Sequence, residues 1–498
     1  MTSFIKEMFC TECENRYSEK TQRKICNICK EVLEVRYNYE AAKESMTKRT
    51  IKKRPRGIWR YFELLPLIDR RNVISLGEGQ TFLHHCNSLS ENLGIPNLLL
   101  KNETTNPTGS FLDRGSSVEI SIAKERKQYK ICCGSTGNLA ASVVAYAAKA
   151  SVSSKVYMAQ KGRIDIGKFY QILAYGADVE IVKTRKEAIS LASQKEPICH
   201  SITSYNPHFL EGTKTLVFDL CEQLDWKTPD WIITPMGSGG NISMIWKGIL
   251  ELQEMGLIGS ETPKLIGTQV EGISPIVDAF KNGQKTVRPS SGKPNLAMDI
   301  GVAEPVCGNK ALEAIRKSKG LAIDLTDKEI IQSVRDLARK EGIFAEPASA
   351  TTIAALRNLV AEQVINPNDV VVCMITGTGL KSPEIAESFV QGRKDIGHLL
   401  SKFEGRKYTT EIGRTKVCIL RLLSLTDSYG YAIWKNLSES YGIQISIPSV
   451  YQHLTELSRG GLIVEIKTIL SPEKRVRKFY DLTERGRWTL AQIEKISE

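Results

Sequence analysis

Four cysteines near the start of the chain are spaced to hold a metal ion. Cys10, Cys13, Cys26 and Cys29 read C-x2-C-x12-C-x2-C. Two such knuckles each present two thiolates, and four sulfurs complete the tetrahedron that zinc prefers. Four thiolates leave no open coordination position, so the expected zinc is structural. A module of about 35 residues has little core of its own, and metal binding would supply much of its folding free energy. The bland alternative is two chance pairs of structural cysteines. The other eight, Cys86, Cys132, Cys133, Cys199, Cys221, Cys307, Cys373 and Cys418, show no ligand spacing and read as core residues.

A second chemistry is written in glycine turns. Ser135, Thr136, Gly137 and Asn138 follow the apolar run KICCG, and Gly237, Ser238, Gly239, Gly240 and Asn241 follow WIITPM. Thr376 opens a third turn, TGTG, after DVVVCMI. Each turn is followed by an amphipathic or small-residue stretch. Loops this rich in glycine wrap backbone N–H groups around an anion, and a helix N-terminus adds its dipole. Taken singly, such turns commonly just join a strand to a helix.

The elements that must position these turns are those of an α/β fold. Strand, glycine turn and helix repeat between residues 61 and 400, the pattern of a mostly parallel sheet. Ligands of such sheets sit at the carboxyl edge of the strands. After about residue 405 the pattern changes. TKVCILRLLSL, YGYAIWKNLSESYG and IPSVYQHLTELSRGGLI read as three helices, the third opened by Pro448 and closed by Gly460-Gly461. VEIKTIL and RVRKFYDLT alternate like a hairpin, and ERGRWTLAQIEKI reads as a last helix. Three helices, a basic hairpin and a helix describe a winged helix-turn-helix. The expected organisation is a zinc ribbon at 1–42, a basic linker at 43–60, an α/β core at 61–400 and a winged helix at 408–498.

Charge divides along the same lines. The chain of 498 residues carries a net charge of +12. Residues 1–60 hold 15 Lys/Arg against 8 Asp/Glu, residues 401–498 hold 16 against 11, and the middle is neutral. A neutral body with basic ends suggests a small-molecule core and ends that meet something anionic. With 41% hydrophobic and 25% charged residues, a wholly disordered chain is excluded. No run of 18 apolar residues and no basic-then-apolar leader is present, so a cytoplasmic protein with reduced thiols and no membrane contact is expected.

The order of the core motifs resembles threonine synthase, of the pyridoxal-phosphate enzymes with the tryptophan-synthase β-like fold. The resemblance rests on NPTGSF-DRG (106–115), GSTGN (134–138), KGRIDIGKFYQILAYGA (161–177), SYNPHFLEGTKT (204–215), PMGSGGN (235–241), QVEG-SPIV (269–277), ARKEGIFAEPASA (338–350) and TGTGLKSP (376–383). It implies a two-lobed fold-type II core. It assigns the cofactor phosphate to Gly237, Ser238, Gly239, Gly240 and Asn241. Asn138 would hold an oxygen on the cofactor ring, and Thr376 would sit near the pyridine nitrogen. Ser135, Thr136, Gly137 and Asn206 would bind the substrate end. The family motif S-F-K-D-R-G carries the Schiff-base lysine, but this chain reads Ser110-Phe111-Leu112-Asp113-Arg114-Gly115. Leucine supplies neither the amine nor a proton shuttle. Lys101, eleven residues before Leu112 and expected on a strand, and Lys381, past the last glycine turn, are not expected to replace it. Asn295 also departs from a threonine-led segment of the family. The pocket would then bind pyridoxal phosphate noncovalently, its amino-acid adduct, or a phosphorylated amino acid such as O-phosphohomoserine.

The tail resembles PadR-like transcriptional regulators through YGYAIWKNL (429–437), SVYQHLTELSRGGLI (449–463) and RKFYDLTERGRWTL (477–490). Ser446, Ser449, Gln452 and His453 would face base edges, with Tyr451 either a reader or a core residue. Lys474, Arg475, Arg477 and Lys478 on the wing would contact phosphates. A winged helix used only for protein contact is the competing reading. Together these resemblances imply a ligand-sensing transcriptional regulator on a disabled core, expected as a homodimer. The alternative is an active threonine synthase or related amino-acid lyase.

Overall fold

The computed structural model describes residues 3–159, 166–194, 198–292, 296–382, 385, 413–470 and 476–497. It divides into two units, Met1–Phe389 and Val390–Glu498.

The first unit begins with a three-stranded antiparallel sheet. Strand β1 (Ile5–Phe9) lies between β2 (Arg16–Tyr17) and β3 (Glu34–Tyr37). Met8, Leu33 and Val35 are fully buried beneath it. Residues 43–60, expected to be a basic linker, are folded instead. Helices Tyr39–Ser45 and Lys48–Lys52 are followed by a 3-10 segment, Ile58–Leu64. A Thr47–Thr50 capping box opens the second helix. Two of the segment's charges are turned inward: Arg54 pairs with Glu63 at 2.5 Å, and Arg60 with Glu222 at 3.1 Å. Ile51 and Ile58 are buried beside them. A count of lysines and arginines cannot distinguish paired from solvated charges.

The core holds two sheets. The larger runs β12 (Leu321–Leu325), β11 (Lys264–Val270), β10 (Trp231–Pro235), β13 (Val371–Ile375), β5 (Leu98–Asn102), β4 (Phe82–His85). All its pairs are parallel except β4 with β5. The smaller runs β8 (Asp178–Val182), β7 (Ser153–Ala159), β6 (Lys130–Gly134), β9 (His200–Ile202), all parallel. Every residue of β5, β10 and β13 is buried. Such continuous burial is what helix-covered parallel strands require. A disulfide joins Cys132 on β6 to Cys199 beside β9. Both were expected to be core thiols; parallel pairing of β6 with β9 brings together residues that sequence spacing does not relate.

The second unit contains helices Arg414–Leu425, Gly430–Tyr441 and Ile447–Arg459, then β15 (Ile463–Leu470), β16 (Val476–Leu482) and helix Glu484–Ser497. A short strand, β14 (Ser428–Tyr429), adds to the hairpin through β16. The three helices bury Ile419, Leu423, Ile433, Leu437, Val450, Leu454 and Leu457. Gly442, at φ 64°, ends the second helix, and Ser446 caps the third by accepting from Ser449 N at 3.3 Å. Among the described residues, no helix is long and apolar enough to cross a membrane.

Candidate functional site

The glycine turns end strands β6, β10 and β13, as their sequences imply. The turn after β10 leads into helix Gly240–Glu254, which has no side-chain cap. Its first backbone N–H groups, which no helix satisfies internally, therefore have no capping side chain either. Gly239 has φ +89°, and a Cβ there would lie 2.6 Å from the Cys307 carbonyl. Asn241 donates Nδ2 to Thr234 Oγ1 at 2.9 Å, while its buried Oδ1 has no partner. Beyond β13, Thr376 is buried and its Oγ1 lies 3.0 Å from Ser349 Oγ.

Leu112 stands at the head of helix Leu112–Glu125, beside that last turn. Phe111 N donates to Thr376 O at 3.0 Å, Ser110 bridges Gly377, and Thr378 N donates to Gly109 O at 3.0 Å. Asp113 fixes the helix head by accepting from Thr108 N at 2.6 Å, and from Thr108 Oγ1 and Ser142 Oγ at 2.5 Å. Burial pushes its carboxyl up to about 6. Arg114, fully buried, pairs with Glu103 at 2.7 Å and Asp219 at 2.6 Å. Gly115 and Gly212 let helices Leu112–Glu125 and Pro207–Gln223 touch; a Cβ at Gly115 would strike the Phe209 ring. Leu112 itself is half-buried and packs against the apolar cluster containing Val143 and Phe209.

A group of mostly buried charges gathers around Asn138 and Glu346. Lys381 Nζ donates to Asn138 Oδ1 at 3.0 Å, and Asn138 Nδ2 donates to Glu346 Oε2 at 2.7 Å. Lys168 is bonded to Asp299 and lies 3.8 Å from Glu346. Burial, reinforced by Asp299, pushes the Glu346 carboxyl up to about 7. Burial pushes the Lys381 amine down to about 8, against the pull of Asp113 and Glu346. Asp299 also reaches the second glycine turn: a Cβ at Gly137 would lie 3.0 Å from its Oδ1, and one at Gly237 would lie 3.2 Å from its carbonyl. A narrow cleft opens here, lined by residues 296–299 and by Pro347, Ala348, Ser382 and Ile385.

Thus Asn138, Thr376 and the two glycine turns after β6 and β10 lie at the carboxyl edges of their strands. Ser135 and Thr136 are half-buried beside Gly137. Asn206 is used elsewhere: its side chain bonds Thr203, Ser201 and Glu119. Lys101 is buried and holds Thr81 O and Gln223 at 2.8 and 2.7 Å. Lys381, not expected in the site, is inside it. Lys168, Asp299, Glu346 and Ser349 were not singled out, although three of them fall in the quoted motifs. Asn295 lies outside the described residues.

The four cysteines of the first module converge. Their sulfurs all lie within 4.8 Å of one another, with Cys10–Cys29 at 3.3 Å and Cys13–Cys26 at 3.4 Å. Zinc–sulfur bonds of about 2.3 Å in a tetrahedron set sulfur–sulfur distances near ~3.8 Å, so the donor set suits structural zinc.

In the second unit, Ser449, Gln452 and His453 lie on helix Ile447–Arg459. Gln452 Nε2 donates to Glu456 at 3.1 Å, and Lys416 pairs with Glu456 at 2.7 Å. Tyr451 is 43% exposed, with its ring against Gly430, so it packs and still faces solvent. Arg477 lies over the Tyr429 ring at 4.9 Å, and Lys478 pairs with Glu465 at 2.9 Å. Lys474 and Arg475 lie outside the described residues.

Residues 74–377 match the family described as pyridoxal-phosphate dependent enzyme, and residues 419–492 match the transcriptional regulator PadR-like family. The threonine synthase of Methanocaldococcus jannaschii is 42% identical over 380 residues, spanning 76% of this chain and 93% of that protein. The threonine synthase of Methanosarcina acetivorans is 40% identical over 379 residues, spanning 75% and 92%. Among solved structures, maize serine racemase aligns with a TM-score of 0.54 at 18% identity, covering 64% of this chain and 94% of that one. Diaminopropionate ammonia lyase from Escherichia coli aligns with a TM-score of 0.55 at 15% identity, covering 65% and 91%. Likeness at these identities speaks for the fold alone.

The residues present fit pyridoxal phosphate. The glycine turn at Gly237–Asn241, which leads into a helix N-terminus with no side-chain cap, would suit its phosphate through backbone N–H groups. The Ser349–Thr376 hydroxyl pair and the Asn138 amide would supply polar contacts for its ring. The chain therefore belongs to the pyridoxal-phosphate-dependent enzymes of the threonine synthase kind, with a four-cysteine module before its core and a PadR-like domain after it.

Proposed function

We propose that the chain is a ligand-sensing transcriptional regulator. Its core binds pyridoxal phosphate, an amino-acid adduct of it, or a phosphorylated amino acid, and its winged helix binds DNA as part of a homodimer. The observation that carries this reading is Leu112, which stands where the family motif has its reactive lysine, in a pocket whose other polar groups persist. Bound pyridoxal phosphate supplies an electron sink for amino-acid chemistry. The chain's own residues then bind and orient. The Gly237–Asn241 turn holds the phosphate. Asn138, Ser349 and Thr376 orient the ring. Leu112 offers no proton at the reacting carbons, so the family's replacement chemistry loses its general acid–base, worth about 10²–10⁴ in rate, along with its amine.

Helix Ile447–Arg459 enters the major groove with Ser449, Gln452 and His453, while Arg477 and Lys478 meet phosphates. Ligand control of DNA binding requires different affinity of the ligand for two states of the protein. The test is a salt-dependent DNA titration of the full chain, with and without pyridoxal phosphate plus O-phosphohomoserine. Specific binding that shifts with ligand supports the reading; loss of all DNA binding at every salt concentration contradicts it.

A second reading, an active threonine synthase or related lyase, is favoured by one observation, the placement of Lys381 in the pocket. Phosphate release from O-phosphohomoserine separates the two readings.

A further inference from the structure

The absence of a lysine at position 112 does not leave the pocket without an amine. Segments 109–111 and 376–378 are tied backbone to backbone, so the last glycine turn runs beside the head of helix Leu112–Glu125. Lys381 ends the 3-10 segment Gly379–Lys381 that follows this turn. Its side chain folds back inward: the residue is 6% exposed, and a Cβ on Gly109 would lie 3.4 Å from its Cε. Its nitrogen donates to Asn138, the residue that the fit assigns to the cofactor ring.

Other buried or partly buried lysines among the described residues are committed elsewhere, Lys310 to Glu34 among them. Lys168 is bonded to Asp299 and sits near Glu346. Lys101 bonds Thr81 O and Gln223. Lys214 and Lys247 are bound to the buried carboxylates Glu211 and Glu251. The partner of Lys381 is a neutral amide, which gives up a hydrogen bond at lower cost than a buried carboxylate gives up an ion pair.

We infer that Lys381 is the amine that takes the aldehyde of pyridoxal phosphate in this chain, supplying from the last glycine turn what the helix head lacks at Leu112. The inference rests on the reading of the core as a pyridoxal-phosphate pocket. The step is an imine condensation. The neutral Nζ adds its lone pair to the aldehyde carbon, a C=N bond forms, and the carbonyl oxygen leaves as water with the two protons of the amine. Burial favours the neutral amine that this step needs, with the pKa of Lys381 near 8 among Asp113, Glu346, Asp299 and Lys168. An amine here anchors the cofactor whether or not the pocket turns substrate over. A regulator would thereby hold its sensing group covalently, and an incoming amino acid would compete for the same aldehyde carbon.

The experiment is chemical trapping in the full chain. The protein is incubated with pyridoxal phosphate, reduced with sodium borohydride, digested and mapped by mass spectrometry, while equilibrium dialysis measures total cofactor bound. The expected result is one dominant phosphopyridoxyl label, on Lys381. In Lys381→Arg, which keeps the charge, that label should vanish while dialysis still shows bound cofactor. In Leu112→Lys/Lys381→Arg the label should move to position 112. Bound cofactor with the label on Lys168, or scattered over surface lysines, overturns the inference and leaves the pocket reading standing. Dialysis that shows no cofactor bound to any variant overturns both.

Discussion

Lysines serve the two units of this protein in opposite ways. In the core, Lys168 and Lys381 are buried in a chain of polar contacts that runs from Asp299 through Glu346 and Asn138. On the wing, Lys478 is exposed and meets Glu465 across the hairpin, and Arg477 is half-buried over Tyr429. Burial removes water, so each core charge is held by specific partners and shifts its neighbours' proton affinity. Exposure leaves Lys478 solvated and screened, so its pair with Glu465 adds little to stability and its charge stays available to an anion. The same residue type thus shapes a pocket in one unit and a counterion surface in the other.

The largest test of that contrast is Lys168→Met. It leaves the buried Glu346 and the partly exposed Asp299 without their cation, and should destabilise the core by about 2–3 kcal/mol in chemical denaturation. A loss no larger than that of a surface substitution would break the contrast. Protons test it next. The Glu346 carboxyl is raised from 4.5 to about 7 in the folded chain, so the unfolded chain releases this proton first and stability should fall between those pH values. The Lys381 amine is lowered from 10.5 to about 8, so the unfolded chain keeps its proton longer and stability should rise between pH 8 and 10.5. Relative to the parent, Glu346→Gln should flatten the acid limb of the pH–stability profile, and Lys381→Met the alkaline limb. An unchanged profile would show that these groups are solvated.

Effects on the second unit should appear in DNA binding rather than folding. Gln452→Ala should cost about 1–3 kcal/mol of discrimination at one base position, read by selection against a randomised site. Arg477→Ala should weaken binding evenly across sequences and lower the salt slope by about one, with the melting temperature unchanged. Loss of stability instead would assign Arg477 to packing against Tyr429.

The sequence showed the parts whose signal is local. The cysteine spacing, the three glycine turns and the Pro448 helix start each lie within a few residues, and each is where its pattern implied. The PadR-like and pyridoxal-phosphate segments were likewise legible as ordered motifs. Pairings between distant residues were not. Nothing near Lys381 marks it as facing Asn138, 243 positions away, and nothing at Asp299 points to Lys168. The inward turn of Arg54 and the Cys132–Cys199 link are long-range facts of the same sort. Asn206 shows the converse. Its motif suggested ligand contact, yet its side chain is taken up by Glu119, Ser201 and Thr203 at the start of its own helix.

The central claim is that Leu112 removes the family's chemistry while the pocket stays able to bind. It is tested most directly by phosphate release from O-phosphohomoserine, measured side by side for the cofactor-loaded parent and Leu112→Lys. The parent should release no phosphate above buffer, and the variant should release it measurably. Turnover by the parent would contradict it.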